Sequence, residues 1–145
     1  MRELQFLKQV EAIPPIVVDA TTATVVNVID TAGYDDMLVS FDFGVLGAAL
    51  TAAKLQECAT SGGSYADTVG AALSDLTAAT NSGKTSWLYV NLRGHNQYFK
   101  PVITTGGATD VVGVKAILFN SNGVLPTDAA SRNVAQYVYV ASVAQ

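Results

Sequence analysis

The sequence predicts an all-β fold, a single β-sandwich or jelly-roll-like domain with an extended N-terminal arm. Three observations carry that expectation. Apolar and polar residues alternate over several short stretches, the period of a half-buried strand. Gly-, Asn- and Asp-rich clusters separate these stretches at intervals of about ten residues. No stretch shows a long apolar stripe at helical spacing.

Residues 1–15 read as the arm. Phe6 and Leu7 are its only adjacent large apolar pair, and Ile13 directly precedes the two prolines. Pro14 and Pro15 lack backbone donors and favour an extended path, so the arm cannot enter the body as a helix. Phe6, Leu7, Ile13, Pro14 and Pro15 are therefore the candidate contacts to a neighbouring chain. Residues 16–145 form the body.

Ile16–Val18 and Thr24–Ile29 are β-branched runs that read as strands. Asp30–Asp36 is a turn cluster with Gly33 available for positive φ. From Met37 the chain alternates, with Val39, Phe41, Phe43 and Val45 on the inward face. Residues 46–58 leave two readings open. Ala48, Ala49, Ala52 and Ala53 favour a helix, whereas Lys54–Cys58 alternates into a Gly62-Gly63 turn. The flanking β pattern favours the strand.

Tyr65–Leu73 reads as a short strand, and 74–86 as a loop of small residues. Ser86–Leu92 and Gln97–Thr104 alternate again. Pro101 places the second of these at an edge or a bulge. Asp110–Asn120 is the longest alternation, with Val112, Val114, Ala116 and Leu118 on one face. Residues 121–133 are polar, with one helical turn at Asp128–Arg132, and Val134–Val143 is a last strand. The expected core includes Phe41, Phe43, Leu55, Leu88, Val90, Val112, Val114 and Leu118.

Composition narrows the function classes. The chain has 145 residues, of which 50% are hydrophobic and only 14% charged, against about 25% charged in an average domain. Mean hydropathy is +0.31, which is too apolar for a disordered chain and leaves apolar surface to cover against a partner. The net charge of −4 and the absence of adjacent basic residues argue against nucleic-acid binding. No run approaches a membrane span, because Asp30, Asp35, Asp36 and Asp42 interrupt the richest stretch. The first residues have no apolar core of the signal-peptide kind, so export by the ordinary secretory route is not expected.

Catalytic patterns are weak. Cys58 stands alone, without a metal-ligating Cys/His pattern, and reads as a small hydrophobe. His95, the one histidine, lies in a turn and reads as a surface residue whose replacement leaves stability and assembly intact. There is no Gly-x-Ser-x-Gly elbow. Gly83-Lys84-Thr85 lacks the first glycine of a phosphate loop and precedes a strand pattern, not a helix. Asp35-Asp36 has no calcium-loop spacing. The expectation is a non-enzymatic protein without cofactor or metal. Trp87, Tyr89 and Tyr98 would suit a platform for sugar rings, so a carbohydrate-binding β-sandwich is the alternative.

A further signal lies in the middle of the chain. Lys54-Leu55-Gln56-Glu57-Cys58, then Ser61-Gly62-Gly63-Ser64-Tyr65-Ala66-Asp67, then Leu88 to Val102, resembles a group of small virion proteins of tailed bacteriophages. The similar stretch runs over residues 38–119. It departs at Cys58, where serine is usual, and in its long 72–86 loop. The resemblance implies a structural role on the virion: most simply a capsid decoration (cement) protein, otherwise a minor head or tail protein. It further implies the major capsid protein as partner, a homo-oligomer with a trimer favoured, no nucleic-acid or membrane partner, and a location on the capsid surface.

Overall fold

The computed structural model describes residues 7–19, 21–107, 109–120 and 134–143. Among these, 57% lie in strands and 3% in helix. Nine strands build two packed sheets: β1 (Lys8–Val18), β2 (Ile29–Asp30), β3 (Asp36–Phe43), β4 (Leu50–Cys58), β5 (Ala66–Ala72), β6 (Thr85–Asn91), β7 (Tyr98–Thr105), β8 (Asp110–Phe119) and β9 (Val134–Val140). One short helix, α1 (Ala78–Asn81), lies before β6. Sheet A has the order β1-β8-β3-β6-β9 and sheet B the order β2-β7-β4-β5. All pairings are antiparallel except β6 with β9, which is parallel. The expected β-sandwich is the fold.

Alternation explains the core. Met37, Val39, Phe41 and Phe43 face sheet B from β3; Val112, Val114, Ala116 and Leu118 do so from β8. Ala53, Leu55, Phe99 and Ile103 close the layer from sheet B. All eight expected core residues are at most 5% exposed.

The N-terminal arm is corrected from Lys8 onward. Lys8–Val18 pairs along β8, and Ile13 is 1% exposed, so it belongs to this chain's own core. The physical reason is a pair of bulges. Ala12 is one extra residue opposite Lys115–Val114, which turns both Ala12 and Ile13 inward. Pro14 and Pro15 then sit opposite the single residue Gly113. A Cβ on Gly113 would come within 3.3 Å of Pro15 backbone atoms, so glycine permits the close approach. Pro14 is half-buried, Pro15 and Leu7 are exposed, and Phe6 lies outside the described residues.

Three further expectations change. Thr24–Val28 is not a strand: the Val26 and Asn27 N–H groups both donate to the Ala12 carbonyl, which makes the segment a strap beside β1. Val45 is 73% exposed, because β3 ends at Phe43. The 46–58 ambiguity resolves to a strand over Leu50–Cys58. Pro101 lies inside β7 with no bulge there. Its missing donor faces the side on which Ile103 and Thr105 bond Ala23 and Thr21, and no residue of two-residue β2 reaches it. The Asp128–Arg132 turn lies outside the described residues.

Candidate functional site

The two sheets have edges on the same side of the sandwich, where β5 and β9 approach each other. Sequence chemistry shapes both. In β5, four residues, Thr68–Ala71, stand opposite Leu55 alone, because Lys54 pairs with Ala72 and Gln56 with Asp67. Gly70 adopts φ +77° within this bulge, a conformation that suits a residue without Cβ. Thr68 and Ala71 turn inward, and Val69 is thrown outward at 89% exposure.

β9 is fixed at its start by Gln136. Its Oε1 accepts the Ser74 and Asp75 N–H groups at 3.1 and 3.0 Å, and its Nε2 donates to the Asp75 carbonyl at 2.6 Å and to Asn81 Oδ1 at 3.0 Å. Asn81 is fully buried and donates to the Asp75 and Thr77 carbonyls, so α1 serves as the anchor for β9. Neither Gln136 nor Asn81 was legible as a site residue. Both are ordinary polar residues in their local sequence, and only the fold brings them together.

The other end of β9 is held by His95. Its Nδ1 lies 3.0 Å from Glu57 Oε1, and its Nε2 lies 2.8 Å from the Ala141 carbonyl. A carbonyl oxygen only accepts, so Nε2 is a donor. Glu57 Oε2 accepts the Asn96 N–H at 2.6 Å. The His95 side chain is 2% exposed, against the expected surface position. The reason is that Glu57, on the inward face of β4 at the rim of the sandwich, needs partners there, and the Arg93–Asn96 turn supplies them. With an acceptor at each ring nitrogen, His95 has none left to activate a nucleophile.

Together these features line a groove of about 360 Å³ whose walls include Val69, Gly70, Tyr139, Val143, Glu57 and His95. Tyr139 and Val143 are 47% and 46% exposed. The rim is thus apolar, and the hydrogen-bonded Glu57 and His95 form the floor.

Of the residues that carry the phage resemblance, Glu57 and His95 lie in this groove, whereas Lys54, Gln56, Tyr65, Asp67 and Lys100 gather on the outer face of sheet B. Lys54 Nζ and Gln56 Nε2 donate to the two oxygens of Asp67 at 2.6 and 2.8 Å and hold its carboxyl below the usual carboxylate range. Lys100 Nζ sits 4.3 Å from the Tyr65 ring centre, and the Tyr65 hydroxyl donates to the Ser61 carbonyl. The motif therefore ties β4, the 58–66 hairpin and β7 together. These contacts are exposed, where single pairs contribute little.

The aromatic platform does not form. Trp87 and Tyr89 lie on the outer face of sheet A, and Tyr98 on the outer face of sheet B. Tyr89 is 2% exposed, packed between Phe119 and Tyr139 with ring centres 5.9 and 5.8 Å away. Among the described residues, no three His, Cys, Asp or Glu side chains cluster to hold a metal, and no helix is long and apolar enough to cross a membrane. Comparison with models of known protein families gave no match, and comparison with curated proteins gave none either.

Proposed function

We propose that the protein is a non-enzymatic structural component of a tailed-bacteriophage virion, a decoration (cement) protein that binds the outer surface of the assembled head and stabilises it. One observation carries the reading beyond the sequence resemblance: the β5–β9 groove displays Val69, Tyr139 and Val143 around a floor of spent polar groups. Exposed apolar side chains gathered on one side of a small domain suit a contact with another protein. Burying a valine side chain contributes about 1.5–3 kcal/mol before ordering costs. A few such contacts, repeated over a shell by an oligomer of the trimer kind, sum through avidity without any single strong site.

The major capsid protein is the expected partner, with the capsid surface as the location. Mass spectrometry of purified virions, with density maps of intact particles, tests the assignment; absence of the protein from virions refutes it. Val69→Asp places a charge at the rim without touching the core. It is expected to leave thermal unfolding unchanged and to lower occupancy on shells. Full occupancy of the variant moves the attachment surface away from the groove.

A further inference from the structure

We propose that the depression around Trp87, on the outer face of sheet A, binds one pyranose ring of a glycan. The site is independent of the β5–β9 groove and of the decoration reading. It spans three strands: Ser40 and Asp42 on β3, Trp87 and Thr85 on β6, and Lys115 on β8, with Leu38 and Ile117 closing one side. Register places these together, since Ser40 pairs with both Trp87 and Lys115, and Asp42 with Thr85. The hollow measures about 280 Å³.

Its polar groups are already arranged. Asp42 Oδ1 accepts the Ser40 and Thr85 hydroxyls, each at 2.9 Å, and Asp42 Oδ2 lies 3.4 Å from Lys115 Nζ. Both hydroxyls give their proton to Asp42, so their remaining lone pairs accept. The Lys115 ammonium keeps donors to spare. The Asp42 and Lys115 side chains are 35% and 48% exposed, so a ligand can reach them. Beside them lie one indole and two aliphatic side chains.

A pyranose has the matching two-sided character. Its C–H face packs on an indole and on aliphatic groups, and its rim of hydroxyls both donates and accepts. Converging polar groups at the edge of an apolar hollow are the usual form of a small-ligand site, and hydrogen bonds to charged partners such as Asp42 and Lys115 are the stronger kind. The Asp42 carboxylate and the net charge of −4 disfavour phosphate-bearing ligands. Trp87 is half-buried in a hollow, which fits a small ring better than a flat protein face.

Trp87 is the sole tryptophan, so its emission reports this site alone. The test titrates the full chain with glucose, galactose, mannose and N-acetylglucosamine, as free sugars and as their oligosaccharides, with calorimetry in parallel. A saturable change in Trp87 emission with at least one sugar is expected. Asp42→Asn and Lys115→Met are each expected to weaken it about tenfold, with thermal unfolding of each variant showing that it is folded. Three results overturn the proposal: no saturable change with any sugar up to about 100 mM, the weak limit of specific binding; binding that both variants leave intact; or Trp87 in the free protein shielded from acrylamide, which means that another segment or chain fills the hollow. If one variant fails to fold, the other decides.

Discussion

Replacing Ile13 by alanine separates a detached arm from a strand of the domain. Ile13 is 1% exposed and pairs with Val114 in the middle of β8. The substitution removes three carbons from a packed layer that includes Ala12, Val112 and Val114. Transfer alone costs about 0.8 kcal/mol per carbon, and the cavity left behind brings the loss to about 2–5 kcal/mol. For a chain of this size about 3 °C of melting temperature is lost per kcal/mol, so the midpoint is expected to fall by roughly 5–15 °C. Calorimetry of the purified protein reads this directly. Leu7→Ala, at an exposed neighbouring position, is the control and should shift the midpoint by less than about 2 °C. A loss under about 1 kcal/mol for Ile13→Ala means that β1 contributes nothing to the folded body and that the pairing with β8 is wrong. The same reasoning expects removal of residues 1–13 to destabilise the domain, since it exposes much of β8.

Phe41→Ala, at 0% exposure beside Phe43, is expected to cost about 3–5 kcal/mol by denaturant unfolding. His95→Ala removes the hydrogen bonds to Glu57 Oε1 and to the Ala141 carbonyl and leaves the Glu57 carboxylate with the Asn96 N–H, so a loss of about 1–3 kcal/mol replaces the neutral effect expected of a surface turn. Gly94→Ala combines φ +80° with a Cβ driven into the Val143 carbonyl, and hydrogen exchange should show the Val143–Arg93 bond opening first. Acid should destabilise the fold through Asp30, Asp67 and Asp75. Their carboxyls are held below the ordinary 3.8 by donors from Gln97, Lys54 and Thr80 respectively. A depressed folded value gives stability above the unfolded value that is lost as pH falls, so the melting temperature should drop below about pH 4. A double Asp67→Asn, Asp75→Asn variant should show a shallower drop.

The strands of the interior were legible because alternation there is strict. Met37–Phe43, Ser86–Leu92 and Asp110–Phe119 each present one apolar face, and burial follows that face. The edges were less legible. β1 breaks the alternation twice, at Ala12 and at Pro14-Pro15, so its sequence reads as irregular although it pairs along most of its length. Thr24–Val28 has the opposite character: largely β-branched residues that satisfy local propensity yet form no strand, the Val26 and Asn27 N–H groups turning together onto the Ala12 carbonyl. Propensity reports fit to a pleated surface, and neighbours decide whether that surface exists. The groove was illegible for a related reason. Val69, His95 and Tyr139 are distant in sequence, and no local pattern announces that β5 and β9 are edges on the same side.

The form of those edges restricts how the molecule can attach to anything. A free strand edge offers a row of backbone donors and acceptors, and strand addition by a partner is the simplest way to use it. Each sheet blunts its edges here. In β1, Pro14 and Pro15 remove two donors within a bulge, and Val26 and Asn27 occupy the Ala12 carbonyl. In β5, the four-residue bulge breaks the row after Asp67 and puts Val69 outward in its place. β2 is only two residues long. β9 is anchored through Gln136 at one end and tied beyond its other end through the Ala141 carbonyl. Backbone pairing with a second chain is therefore obstructed along much of the perimeter. What these edges present is side chains, apolar at Val69, Tyr139 and Val143. An interface built on them depends on shape and apolar contact, so it should tolerate high salt while a single charge at Val69 disrupts it. Loss of shell attachment on raising salt, with Val69→Asp still bound, would mean that charged residues outside the groove make the contact.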